Sequence, residues 1–246
     1  MGASPDEPAA TPNVRNVSLI RNEYSNATNR RSDMQTDQLI SLMVASQRPV
    51  DTARLSRATW LAALCALAVT AGLVLITLGP RHDLGRAWLS MPVLAKMLLG
   101  AGVAAIALPL FQRSLRPGQE PARQLPWVLA PILLVVGWAA LTLAQTPAEQ
   151  WTTLIFGHYW RACLVAVPLY AMVPFLVLLV LARRGAAVDG PLTGACAGLA
   201  SAGLAIVAYS LHCPDDTAPF LATWYMIGIA LVTSAGALVF PRFLRW

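Results

Sequence analysis

Hydrophobic residues fall into six long runs separated by short polar segments. We place them at roughly 59–78, 91–110, 127–144, 162–181, 191–211 and 221–240. A helix of about 20 residues rises 1.5 Å per residue, so each run is long enough to cross the roughly 30 Å of hydrocarbon in a bilayer. The pattern therefore predicts an all-α fold, a six-helix transmembrane bundle.

The segment before the first run is different. Residues 1–33 are polar, carry no hydrophobic period and are predicted to be a disordered extension, with Met34 a candidate for the true start. Residues 36–46 show apolar residues at helical spacing and predict a short helix that ends before Pro49. The predicted organisation is an extension over 1–33, a cytoplasmic segment with a short helix over 34–57, and a six-span domain over 58–246.

Composition supports a membrane protein. The chain is 57% hydrophobic and only 12% charged, and its mean hydropathy is +0.57. These values argue against a soluble enzyme of this size. The net charge of +6 could suggest nucleic-acid binding, but the Arg residues form no dense patch and lie near the ends of the apolar runs. We therefore predict a lipid-bilayer protein with no direct nucleic-acid contact.

The Arg residues also predict orientation, because cytoplasmic loops of membrane proteins carry an excess of basic residues. One side carries ten of them: Arg48, Arg54, Arg57, Arg113, Arg116, Arg123, Arg183, Arg184, Arg242 and Arg245. The other side carries three: Arg81, Arg86 and Arg161. Both termini are then cytoplasmic, as six spans require.

Four residues that could carry chemistry fall on the less basic, outer side: His158, Cys163, His212 and Cys213. Imidazole and thiolate together would suit a soft metal such as Zn, Cd or Cu(I). The two thiols could instead form a disulfide in an oxidising compartment. Residues of these types scattered in this way are often purely structural, so the spacing leaves all three readings open.

Two features within the runs stand out. Lys96 lies inside the second run, and a charge there is costly, so it should snorkel to the surface or pair with Asp83 or with a backbone carbonyl. In the fifth run Gly190, Gly194 and Gly198 recur every four residues, which predicts a ridge of small residues where another helix approaches closely.

No enzyme motif is visible, and no cofactor or small-molecule substrate is predicted. The chain contains no GxSxG, HExxH or P-loop. A small-solute or ion transporter is an alternative, but the spans lack central Asp and Glu residues. A membrane thiol oxidoreductase is another, but no CxxC pair exists.

Four strings together resemble the NrsF family, the negative-regulator-of-sigma-F anti-sigma factors of bacterial inner membranes. They are QTDQLISLMVASQRPV at 35–50, HYWRACL at 158–164, LHCPDDTAPFLATWY at 211–225 and the terminal LRW. The resemblance covers about residues 34–246, and the HCPDD…F…WY string is its most specific part.

The resemblance implies an anti-sigma factor that sequesters an extracytoplasmic-function sigma factor and releases it on heavy-metal or oxidative stress. The cysteine pair of the family maps onto Cys163 and Cys213, which become the expected sensor. We expect the sigma factor to be held by cytoplasmic elements. These are the Arg113–Arg123 and Arg183–Arg184 loops and the short helix, with apolar anchors at Leu39, Ile40, Leu42 and Met43.

Overall fold

A computed structural model describes Thr36, residues 38–41, Met43, and residues 52–83, 85, 90–116, 121–183 and 189–243. The chain divides into two compact units, Met1–Asp51 and Thr52–Trp246. In the first unit the described residues are helical, and the side chains of Leu39, Ile40 and Met43 are 59%, 53% and 60% exposed. The extension over 1–33, Leu42 and the end of the predicted short helix lie outside the described residues.

The second unit contains six helices that are long and apolar enough to cross a membrane, as predicted. Its helices are α1 (Thr52–Thr77), α2 (Met91–Ser114), α3 (Leu129–Ala144), the short α4 (Trp151–Phe156), α5 (Trp160–Ala182), α6 (Gly190–Tyr209) and α7 (Ala218–Phe243). A 3-10 turn, Pro121–Val128, precedes α3, and the described part of the chain holds no strand. Helix α1 begins seven residues before the predicted apolar run. The run starts later than the helix because the first turns of α1 are more polar and contain Arg54 and Arg57.

Helix α6 is the most buried of the six, and its small residues explain why. A Cβ atom added at Gly194 would lie 2.3 Å from the carbonyl oxygen of Gly236 in α7, and one at Gly198 would lie 2.5 Å from that of Val232. Backbones can approach so closely only where side chains are missing. The predicted small-residue ridge is confirmed, and α7 is the helix it contacts.

A second close approach was not predicted. Gly203 of α6 faces Gly100 of α2, and a Cβ at Gly203 would lie 2.6 Å from the Gly100 carbonyl oxygen. Helix α6 is thus enclosed by α7 on one side and α2 on another. In contrast, α1 and α3 present apolar side chains such as Ile76, Leu134 and Leu141 outward, where hydrocarbon would solvate them.

Two irregular turns shape the end of the bundle near Cys213. Gly157 separates α4 from α5 with φ +54° and ψ −157°, a conformation that side-chain-bearing residues avoid. Within α7, residues Leu221–Tyr225 form a π-helical turn. A π turn inside an α-helix often marks a functional position, and this one contains both Trp224 and Tyr225.

Candidate functional site: a thiol pair beside an ion network

Three loops meet at one end of the bundle, which we call the Cys213 end: residues 78–83, 157–159 and 210–217. The backbone N–H of Arg81 donates to the Leu211 carbonyl at 3.1 Å. The Thr217 hydroxyl donates to the Leu154 carbonyl at 2.7 Å. These loops were all predicted to lie on the same side of the membrane, and their mutual contacts agree with that prediction.

Arg81 is the centre of an ion network at this end. Its guanidinium is 3% exposed and binds both oxygens of Asp83, at 2.6 and 2.8 Å, and both oxygens of Asp216, at 3.2 and 2.9 Å. A planar guanidinium has enough N–H donors to make two hydrogen bonds to each of two carboxylates. The arrangement fastens the loop after α1 to the loop between α6 and α7.

Lys96 completes the network from helix α2. Its side chain is fully buried, and its ammonium lies 2.5 Å from the Asp216 carboxylate and donates to the Cys213 carbonyl at 3.0 Å. The predicted contact with a carbonyl is confirmed. The other expectations are corrected: Lys96 does not snorkel, and its carboxylate partner is Asp216 rather than Asp83.

The network balances its own charge. Two cations, Arg81 and Lys96, face two carboxylates, Asp83 and Asp216. The hydrogen bonds that Arg81 donates to Asp83 and Asp216 raise the pKa of Arg81, although burial opposes this, and Arg81 in turn lowers the pKa of the Asp83 carboxyl. Removing Asp216 would leave the buried Lys96 without a carboxylate partner, which is strongly destabilising.

Asp215, next to Asp216, binds a different part of the bundle. One of its carboxylate oxygens accepts hydrogen bonds from the backbone N–H groups of His158 at 3.0 Å and Tyr159 at 2.7 Å. These groups belong to the turn that starts α5, where no side chain of α5 itself provides a cap. The loop carrying Cys213 is therefore bound to the turn that leads into the helix carrying Cys163.

The two expected sensor cysteines come together at this end. Cys163 and Cys213 are both free and fully buried, and they lie close to each other and to Lys96. Burial raises the pKa of the Cys213 thiol, which holds it in the neutral form. The Tyr225 hydroxyl, from the π turn, lies beside the Cys213 thiol and has no nitrogen or oxygen partner among the described residues.

The two histidines are placed differently. The His158 side chain is 85% exposed, with Nδ1 3.9 Å from Asp215, and Nδ1 of His212 lies 2.9 Å from the Gly79 carbonyl oxygen. Within the described ranges, no three His, Cys, Asp or Glu side chains are grouped so that they could hold a metal ion. The predicted set of His158, Cys163, His212 and Cys213 is thus not assembled as one four-residue centre.

The other two cysteines lie elsewhere. Cys196 is buried within α6, as expected of a small apolar residue, whereas Cys65 is exposed on α1. Sequence reasoning assigned no site role to Arg81 or Tyr225, and it suggested Asp215 only as an oxygen ligand or a hydrated loop residue, not as the partner of the turn before α5. The available signal was their position: Asp215 and Tyr225 fall inside the most specific string, and Arg81 follows the first span on the same side as that string.

Comparison with known proteins agrees with the geometry. The family model described as negative regulator of sigma F (NrsF) matches residues 43–246. The probable anti-sigma-F factor NrsF of Azospira oryzae is 31% identical over 217 residues, which cover 87% of this chain and 100% of that protein. The anti-sigma-F factor NrsF of Caulobacter vibrioides is 31% identical over 223 residues, with the same coverage.

No solved structure matches the chain. The family match covers most of the chain, including every helix of the Thr52–Trp246 unit and both cysteines of the pair. The chain belongs to the NrsF family, the negative regulators of sigma F.

Proposed function

We propose that this protein holds an extracytoplasmic-function sigma factor inactive at a bacterial inner membrane and releases it under heavy-metal or oxidative stress. Family membership supports the sigma-factor partner, since both relatives carry the name anti-sigma-F factor. The observation that supports the release step is that Cys163 and Cys213 are free, buried and close to each other although they lie 50 residues apart in the sequence.

Sigma capture is assigned to the short helix of the first unit. Leu39, Ile40 and Met43 expose apolar side chains at helical spacing, and Leu42 continues the stripe in the sequence. An amphipathic helix of this length gains most of its stability by laying its apolar face on a partner. With the Arg-rich side of the bundle cytoplasmic, this helix lies in the compartment where a sigma factor works.

The thiol pair at the Cys213 end is assigned to signal detection. A soft metal ion would bind both sulfurs as each thiol releases its proton. An oxidant would instead take two electrons and two protons from the pair as the S–S bond forms. Because both thiols are fully buried, the agent must be small or the loops must open first.

Bridging of Cys163 and Cys213 would act on the helices to which the two cysteines are attached. Cys163 lies in the first turn of α5, and Cys213 lies in the loop joining α6 to α7. Any bridge between them displaces these elements relative to each other. A tenfold loss of sigma affinity needs a difference of only about 1.4 kcal/mol between the bridged and unbridged states.

The first experiment tests the sensor. The Cys163→Ser and Cys213→Ser proteins are produced with the cognate sigma factor, and transcription from a sigma-dependent promoter is measured with and without cadmium or chromate. We expect repression to persist in the variants and induction to be lost. Cys196→Ser is the matched control, since Cys196 is equally buried but lies away from the pair. Unchanged induction in the pair variants would remove the sensor role.

The second experiment tests capture. Leu39→Asp and Leu42→Asp place charges on the apolar stripe, and we expect membranes containing these variants to retain far less sigma factor. Ser41→Asp is the control, because it adds the same charge at a residue already polar. If the Leu39 and Leu42 variants capture as well as the unmodified protein, the binding surface lies elsewhere.

A further inference from the structure

The turn that leads into α5 is bound by a residue that lies far away in the sequence. Helices usually satisfy their first N–H groups with a side chain just before the helix, but α5 begins after Tyr159 without one. The Asp215 carboxylate accepts from the N–H groups of His158 and Tyr159 instead. We call this contact the Asp215 clasp.

The turn before α5 is built to admit the clasp. At Gly157, an added Cβ atom would lie 2.7 Å from the Asp215 carboxylate oxygen and 2.9 Å from its carboxyl carbon. The φ and ψ angles of Gly157, +54° and −157°, are also those of a region that is essentially reserved for Gly. Residue 157 therefore has two independent reasons to be Gly, and one of them is room for the Asp215 carboxylate.

Each side of the Asp215 clasp lies within a few residues of one of the two cysteines. Asp215 is two residues after Cys213, and the Cys163 N–H donates to the Tyr159 carbonyl at 2.9 Å in the first turn of α5. The Cys213 carbonyl is itself held by Lys96 at 3.0 Å. The Asp215 clasp is thus a direct hydrogen-bonded tie between the backbone segment of one thiol and that of the other.

We propose that Asp215 is a positioning residue for the thiol pair: its carboxylate on the His158 and Tyr159 N–H groups sets the separation of Cys163 and Cys213. The proposal deepens the proposed function and rests on the pair being the sensor. It differs from an ordinary cap, which would only stabilise α5. Loosening the clasp moves the Cys213 loop away from the start of α5 and makes the pair harder to bridge.

The test measures bridging directly in the full-length protein in membranes. Hydrogen peroxide is small enough to reach buried thiols and oxidises a close pair to a disulfide, with two waters released, and peptide mass spectrometry locates the S–S link. We expect Asp215→Ala to slow the Cys163–Cys213 link by about tenfold, since small displacements of reacting groups have large effects on rate. Asp215→Asn keeps an acceptor oxygen and should recover part of the rate.

Asp189 supplies the matched control. Its carboxylate caps α6 by accepting from the Leu192 N–H at 2.9 Å, so Asp189→Ala also removes a carboxylate contact at the start of a helix but touches neither cysteine segment. We expect Asp189→Ala to lose thermal stability in detergent as Asp215→Ala does, while its bridging rate stays within about twofold of the unmodified protein, because a cap lost at the other end leaves the thiols in place.

Gly157→Ala disturbs the same contact by placing a methyl group against the Asp215 carboxylate, and it replaces Asp215→Ala in the test if that variant does not accumulate. Its added methyl should also slow the link. An unchanged bridging rate in Asp215→Ala would overturn the proposal, as would an unchanged rate in Gly157→Ala if Asp215→Ala does not accumulate. An equal slowing of bridging in Asp189→Ala would also overturn it. Bridging is measured without sigma factor, cadmium or chromate. A failed sensor experiment with the Cys163 and Cys213 variants therefore refutes the proposed function and leaves this result standing.

Discussion

The Gly194–Gly236 crossing of α6 and α7 gives the sharpest prediction about the bundle. In Gly194→Ala the new methyl would lie 2.3 Å from the Gly236 carbonyl oxygen and 2.4 Å from the Phe240 Cβ atom. Neither neighbour is the flexible end of a side chain, and ordinary contacts begin near 3.4 Å. The two helices must therefore move apart by about 1 Å, which forfeits a quarter to a half of each atom pair's attraction along the crossing.

The size of the effect follows from two opposing terms. Overpacking costs about 1–3 kcal/mol, and a methyl against backbone belongs at the upper end. Replacing Gly by Ala inside a helix returns about 1 kcal/mol. We expect a net loss of about 2 kcal/mol, seen as a fall of about 4–8 °C in the melting temperature in detergent followed by circular dichroism.

Gly137 of α3 provides the control. It also lies inside a spanning helix, but an added Cβ would meet nothing within 4 Å. Gly137→Ala should therefore be neutral or slightly stabilising, since only the helix-propensity term remains. Equal melting temperatures for the Gly194 and Gly137 variants would refute the claim that α6 and α7 are held together by backbone contact.

Two further predictions concern the ion network. Asp216→Asn leaves the buried Lys96 without its carboxylate. Because Asp216 is 24% exposed, we expect the free energy of unfolding to fall by about 3 kcal/mol, the lower end of the range for breaking a buried ion pair, measured by thermal unfolding in detergent. A change no larger than that of Asp83→Asn would contradict this. Asp83 has its pKa lowered by Arg81, so its contribution to stability is present above the ordinary carboxyl pKa, about 4, and is lost as the pH falls through the lower folded value. The melting temperatures of the unmodified protein and Asp83→Asn should therefore differ at pH 7 and converge below about pH 4; parallel curves would show that the ion pair contributes nothing.

Local patterns were enough to predict the spans and the packing ridge. Apolar run length identifies a spanning helix without knowledge of its neighbours, and glycines every four residues define one helix face whatever that face contacts. The start of α1 was missed because Arg54 and Arg57 interrupt the hydrophobic signal, although helical hydrogen bonding continues through them.

Contacts between distant segments could not be predicted in the same way. Lys96 needed a partner, but several acidic residues and carbonyls lay on its side of the bundle, and only the folded chain selects Asp216 and Cys213. Asp215 offered no signal as the partner of the turn before α5 because a residue that binds the N–H groups at a helix start is normally sought just before that helix. The thiol pair was expected through family resemblance, and the structure supplies its burial and its neighbours.

Capture and release of a sigma factor are tested most directly by the amount of sigma factor that stays with the membranes before and after cadmium. Membranes from cells carrying the unmodified protein should retain the sigma factor and lose most of it on exposure. Membranes carrying the Cys163→Ser Cys213→Ser protein should retain it under both conditions. Sigma factor that never associates with the membranes, or that leaves equally in both strains, would contradict the proposed function.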